Sequence, residues 1–192
     1  MHLRELFLNE DDRSTAVFAF GRFNPPTIGH EKLIQKVQSM TKQVNGKGYV
    51  FLAHTGGTQK DPIDFQTKLS YLRQHFQADK NLSFGDTRAN TIIKVMKVLE
   101  AEGRTKIIMI AGDDRVMQFS NLLNQYNGKP TKAGNVEYTF DSIEVVSAGQ
   151  RDPDADDVTG VSASKARELA MKGQEHEFSK IIMGGDKGKV LY

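Results

Sequence analysis

The segment GRFNPPTIGH, residues 21–30, gathers within ten positions the residue types that can receive a phosphate. Gly21 can take a tight turn and let an anion approach the backbone, while Pro25 and Pro26 stiffen the chain. Gly29 leaves space where a helix would begin. His30, in the first turn of that helix, can aim an imidazole N–H at the anion that helix-start amides already favour. A Gly- and Pro-rich turn with Thr27 as a helix cap is also a common purely structural device, so spacing alone does not decide between the two.

Further downstream, GVSASKAR, residues 160–167, supplies a second set of donors. Ser162 is a good N-cap, and the first-turn amides with the Ser164 hydroxyl, Lys165 and Arg167 suit a polyphosphate. An ordinary capped surface helix has the same composition. Between the two lie Gly112, Asp113 and Asp114, where a carboxylate at a strand end can accept two hydrogen bonds from a diol or can cap the next helix. Residues 152–157 space carboxylates in a way that superficially suggests a calcium loop. However, Asp157 stands where that loop needs Gly and Ala163 where it needs Glu, so a solvated acidic turn is the better reading. The His residues show no zinc spacing, and no protein-held metal site is expected.

These segments need a frame. Short apolar runs without polar alternation, Val17 to Phe20, Tyr49 to Ala53, Lys106 to Ala111 and Ile143 to Val146, fit strands covered on both faces. Between them, Leu33, Val37, Met40 and Val44 mark one helix face, Ile92, Val95, Met96 and Leu99 a second, and Val116, Phe119, Leu123 and Tyr126 a third. Strand and helix in alternation predict an α/β fold: a doubly wound, Rossmann-like parallel sheet with helices on both faces. A last helix is expected from Ser162 to about Met171, ending at Gly173, with a further short helical turn over Glu177 to Met183. Residues 127–140 are Gly- and Pro-punctuated, and are expected to form a loop or small hairpin inserted in a single domain of residues 1–192 with a 1–14 extension.

The 26 Lys plus Arg against 24 Asp plus Glu give a net charge of +2, too balanced for a protein that neutralises an extended nucleic acid. The absence of Cys excludes disulfides, thiolate metal sites and a cysteine nucleophile. The N-terminal residues turn acidic before a signal-peptide core could form, and no apolar run is long enough for a bilayer, so a cytoplasmic protein with no membrane partner is expected.

The first segment resembles the signature G-x-F-[DN]-P-x-[HT]-x-G-H of the HIGH-type nucleotidyltransferase superfamily, through Gly21, Phe23, Asn24, Pro25, Thr27, Gly29 and His30. Thr27 stands where most members carry a first His, as in the phosphopantetheine adenylyltransferase branch. The second segment is similar to that superfamily's I-S-S-T-x-x-R, through Val161, Ser162, Ser164 and Arg167, with Ala163 replacing a Ser. Gly112 and Asp114, followed by Phe119, resemble the G-x-D…F segment of nicotinamide mononucleotide adenylyltransferases. SASKAR and AGDDR also resemble compact phage-encoded members.

That resemblance implies transfer of AMP from ATP to a small phosphorylated acceptor, with nicotinamide mononucleotide giving NAD as the leading expectation, and release of pyrophosphate. It implies catalytic roles for His30, Thr27 and Arg167. ATP contacts are expected from Gly21, Arg22, Phe23, Asn24, Gly29, His30, Gly112, Asp114, Ser162, Ser164, Lys165 and Arg167. Acceptor contacts are expected from His54, Lys60, Asp113 and Lys68, the last standing near a helix start where the family usually has Arg. Mg²⁺ is expected to arrive largely on the triphosphate, and a homo-oligomer is compatible with the resemblance. Two alternatives remain: a cytidylyltransferase making a CDP-alcohol, and a nucleotide-sensing module without turnover, the latter motivated by Thr27 and Ala163.

Overall fold

In the computed structural model, residues 14–149 and 162–191 are described. Apolar runs that skip polar alternation do form the centre of a sheet. Strands β1 (Thr15–Gly21), β2 (Lys47–Leu52), β3 (Leu82–Phe84), β4 (Lys106–Ala111) and β5 (Ser142–Ser147) are all parallel, in the order β3-β2-β1-β4-β5. The chain therefore winds outward from β1 to one edge, then returns to lay β4 on the other side of β1. That reversal between β1 and β4 is the switch point at which α/β sheets open a crevice beyond their strand ends.

Both faces are covered, and each strand divides its side chains between them. Val17, Ala19, Val50, Leu52, Ile108 and Ile110 pack under α1 (Ile28–Gln43) and α2 (Phe65–His75). Ala16, Phe18, Tyr49, Phe51, Ile107 and Met109 pack under α3 (Ile92–Ala101) and α4 (Val116–Tyr126). Removing a fully buried ring such as Phe18 would cost about 3–5 kcal/mol. Helices α5 (Ala163–Met171) and α6 (Glu175–Ile181) pair through Ala166, Leu169, Phe178 and Ile182, and a 3-10 segment, Gly185–Leu191, follows.

The expected doubly wound sheet is thus present, with differences in detail. Strand β3 has only three residues between polar neighbours, too few to show as an apolar run. The buried face of α1 centres on Ile34, Val37 and Thr41 rather than on Leu33 and Met40, which sit at its margin. The final helical turn is α6, starting at Glu175 instead of Glu177. Residues 127–140 make short bridges, Asn127 to Tyr138 and Pro130 to Val136, and Tyr138 and Phe140 enter the core beside α4. The acidic stretch 152–157, the N-terminal extension up to residue 13 and Val161 lie outside the described residues.

Candidate active site

Residues 21–30 leave the carboxyl end of β1 and enter α1 through a tightly determined path. A Cβ on Gly21 would lie 3.1 Å from the Phe23 ring, so this position has no room for a side chain unless the ring gives way. Phe23 is fully buried and holds φ +50°, a conformation that costs a bulky residue on the order of 1–3 kcal/mol and recurs at functional sites. The Asn24–Pro25 peptide bond is cis. Asn24, 1% exposed, donates from Nδ2 to the Ile63 carbonyl at 2.8 Å and accepts from the Ile63 N–H at 3.1 Å. Its side chain clamps the loop after β2, which corrects the expectation that it meets ATP.

Thr27 is the N-cap of α1, in extended backbone conformation. Its main-chain N–H donates to His30 Nδ1 at 3.0 Å, and its hydroxyl lies 2.9 Å from the same nitrogen. A ring nitrogen that accepts from an amide carries no proton, so in the neutral imidazole the proton resides on Nε2. The Phe23 ring, 4.7 Å from the His30 ring, supports it from below. Thr27 is 1% exposed, so its hydroxyl serves His30 rather than reaching a ligand directly. Gly29 and His30 are half-buried at the helix start.

The C-terminal segment, unmarked in sequence, buttresses this loop. Met183 N–H donates to the Pro26 carbonyl at 3.1 Å, Ile182 bridges Thr27, and the buried Tyr71 hydroxyl donates to the Met183 carbonyl.

Ser162 caps α5, accepting from Lys165 N–H at 3.1 Å. Ser164 and Lys165 are exposed, with Lys165 Nζ 3.6 Å from Glu168. Arg167 reaches back across the fold: Nη1 donates to the Asn24 carbonyl at 2.6 Å and Nη2 to Ser164 Oγ at 3.1 Å. One guanidinium therefore joins the two segments that are furthest apart in sequence. At the end of β4, next to β1, a Cβ on Gly112 would fall 2.9 Å from Asp114 Oδ1, so this carboxylate folds back over the glycine. Asp113 and Asp114 are exposed and neither caps α4, whose N-cap is Arg115.

A Gly- and Pro-rich strand-to-helix turn, a donor-rich helix start bridged to it by Arg167, and a carboxylate-bearing turn on the neighbouring strand thus lie at one end of the sheet. The cytidylyltransferase-like family profile matches residues 18–169. The chain belongs to the cytidylyltransferase-like family. That membership makes it a nucleotidyltransferase. Solved structures agree in fold: Plasmodium falciparum nicotinic acid mononucleotide adenylyltransferase complexed with NaAD is 12% identical with a TM-score of 0.57, covering 88% of this chain and 91% of that one. The same Plasmodium falciparum enzyme complexed with APC is 12% identical with a TM-score of 0.58, covering 88% and 90%. No curated protein sequence matches significantly.

The side chains expected around the nucleotidyltransferase's acceptor divide sharply. Lys68 is fully buried, and its ammonium donates to the carbonyls of Arg22 at 2.9 Å, Ala53 at 3.1 Å and Thr55 at 2.8 Å. All three N–H bonds are engaged, so Lys68 ties the ends of β1 and β2 together and meets no phosphate, contrary to expectation. Burial lowers its pKa, while the nearby Asp61 works in the opposite direction. His54 Nε2 donates to the Asp86 carbonyl at 3.2 Å, its ring 4.1 Å from Phe65, whereas Lys60 is exposed. Arg22 is exposed, its guanidinium leaning toward Asp61. Asp61 itself was invisible in sequence, because Asp before Pro reads as an ordinary turn. Among the described residues no group of three or more His, Asp or Glu could hold a metal, and no helix is long and apolar enough to cross a membrane.

Proposed function

We propose that the chain transfers AMP from Mg²⁺-bound ATP to a small phosphorylated acceptor, nicotinamide mononucleotide, forming NAD and pyrophosphate. The observation that carries this reading is the Arg167 bridge from Ser164 to the Asn24 carbonyl, which draws both phosphate-suited segments to one crevice. An acceptor phosphate oxygen attacks the α-phosphorus, a new P–O bond forms, and the bond to the bridging α–β oxygen breaks as pyrophosphate departs. The protein supplies no nucleophile, in keeping with a chain that has no Cys. Catalysis is then orientation and charge stabilisation.

In this scheme His30 donates from Nε2 to an oxygen of the reacting phosphate, and Thr27 fixes its tautomer and tilt. Gly21, Gly29 and the α1 amides admit the anion, and Phe23 supports the ring. Ser162, Ser164, Lys165 and Arg167 receive the β- and γ-phosphates. Gly112 and Asp114 suit the ribose hydroxyls, with Asp113, His54 and Lys60 on the acceptor side. Mg²⁺ enters as part of the nucleotide substrate. A homo-oligomer is compatible with this arrangement.

The deciding experiment is pyrophosphate release from ATP or CTP against nicotinamide mononucleotide, nicotinic acid mononucleotide and phosphocholine. Release with ATP and a pyridine mononucleotide is expected, and His30→Ala should slow it about 10²-fold, the scale of losing one transition-state donor. Release with CTP alone would replace the adenylyl reading by a cytidylyl one. Binding of ATP with no release from any acceptor would leave a nucleotide sensor.

A further inference from the structure

Asp61 carries a feature that the site described so far leaves unexplained. The residue is 7% exposed, and its Oδ1 has no hydrogen-bond partner. A buried polar atom without a partner costs free energy and calls for a reason. Its Oδ2 lies 3.7 Å from Nη1 of Arg22, whose side chain is 63% exposed at the carboxyl end of β1.

The surroundings specify what this pair can do. The Asp61 loop is fixed on three sides: Lys68 holds Thr55, Asn24 holds Ile63, and Thr58 and Asp61 exchange main-chain hydrogen bonds at 3.2 and 3.1 Å. Lys68 lies close enough to feel the Asp61 and Asp64 carboxylates and the Arg22 guanidinium. Two cations therefore face two carboxylates, and what distinguishes the cations is their access to a ligand. Because the Lys68 ammonium is enclosed by three carbonyls, Arg22 is the one of these two cations that can meet a ligand. The direction is set as well. Arg22 leans toward the loop after β2, which carries Asp61.

We infer that Asp61 is a positioning residue that aims Arg22 at the phosphate of the acceptor, so that Arg22 provides the acceptor-side cation that Lys68 cannot. This moves Arg22 from the expected ATP contacts to the acceptor. A planar fork also suits a phosphate better than an ammonium would. The inference rests on the transferase reading above and deepens it, by defining an anionic group on the acceptor as a requirement for recognition.

Steady-state kinetics with ATP and nicotinamide mononucleotide, run with calorimetric binding of nicotinamide mononucleotide and of its dephosphorylated nucleoside, separates the outcomes. Arg22→Ala should raise the acceptor KM by about 30-fold and Asp61→Asn by about 10-fold, the range of one charge-assisted contact, with kcat and the KM for ATP within about twofold. Both variants should bind the phosphorylated and dephosphorylated acceptors almost equally, whereas wild type prefers the former. The double variant should be no worse than Arg22→Ala alone, and Arg22→Lys should recover part of the loss. Equal rises in both KM values, or additive losses, would assign Asp61 a purely structural role and overturn the inference. Arg22 is exposed, so Arg22→Ala folds whether or not Asp61→Asn does, and an unchanged acceptor KM in that variant overturns the inference by itself. Absence of pyrophosphate release by wild type is a different failure, one that removes the transferase reading first.

Discussion

The two phosphate-suited segments are built in opposite ways. In residues 21–30 the side chains of Phe23, Asn24 and Thr27 are buried and bonded to neighbours, and even His30 has its Nδ1 committed to Thr27. At the start of α5, Ser164 and Lys165 stand in solvent, and Arg167 alone reaches across to the other segment. A donor held by packing and second hydrogen bonds needs no reorganisation when charge develops, which is what the reacting phosphate demands. Exposed donors adapt to a flexible polyphosphate and are screened by salt. Under the function proposed above, the difference suits the fixed segment to the chemistry and the adaptable one to triphosphate capture.

The contrast is broken most severely at Lys68, which anchors the fixed side. Lys68→Met leaves three part-buried carbonyls without their donor and removes the buried charge beside Asp61, and should destabilise the protein by about 3 kcal/mol in urea unfolding. A loss under 1 kcal/mol would mean that the fixed side is not held as described. The pH dependence has a definite sign. Burial lowers the folded-state pKa of Lys68 below its ordinary 10.5, so across that interval the unfolded chain binds more protons. Wild type should therefore gain stability relative to Lys68→Met as pH rises from the depressed value toward 10.5.

Lys68 also marks the limit of what the sequence makes legible. The strand runs, the alternation with helices, the first motif turn and the capped start of α5 follow local rules of periodicity and capping, and appear in the structure with small shifts in boundary. Strand β3 is too short for periodicity to register, and depends on β2 for its pairing. Lys68, Asn24 and Asp61 fail for another reason: their types suit ligand binding, but whether a polar side chain meets ligand or backbone is decided by segments distant in the chain. Asn24 finds Ile63 and Arg167 finds Asn24 across 39 and 143 positions, which no local pattern encodes. The C-terminal support of Pro26 by Met183 is hidden in the same way.

Arg167 is the point where the two constructions meet, so it tests whether they act together. Arg167→Lys keeps the charge but cannot donate to the Asn24 carbonyl and Ser164 Oγ with one planar fork. The expected result is a rise of about tenfold in the KM for ATP together with a stability loss of about 1 kcal/mol, since one charge-assisted bond of the bridge is lost. A change in the KM alone would show that the bridge to Asn24 contributes nothing to the fixed segment.

The smallest effect should come from the adaptable segment itself. Lys165 is exposed, and its ion pair with Glu168 is a solvent-screened neighbour contact on the helix surface, of a kind that contributes little to stability. Lys165→Ala should therefore leave the unfolding midpoint within about 0.5 kcal/mol of wild type. Its role in triphosphate capture appears only in the KM for ATP, which should rise roughly threefold at low ionic strength and less at high salt. The salt dependence is the informative part. A cation that meets the nucleotide in water loses its advantage as salt rises, whereas loss of a fixed donor such as His30 should slow turnover to the same degree at every ionic strength. If the Lys165→Ala effect is insensitive to salt, Lys165 closes onto the triphosphate away from solvent, and the start of α5 belongs with the preorganised half after all.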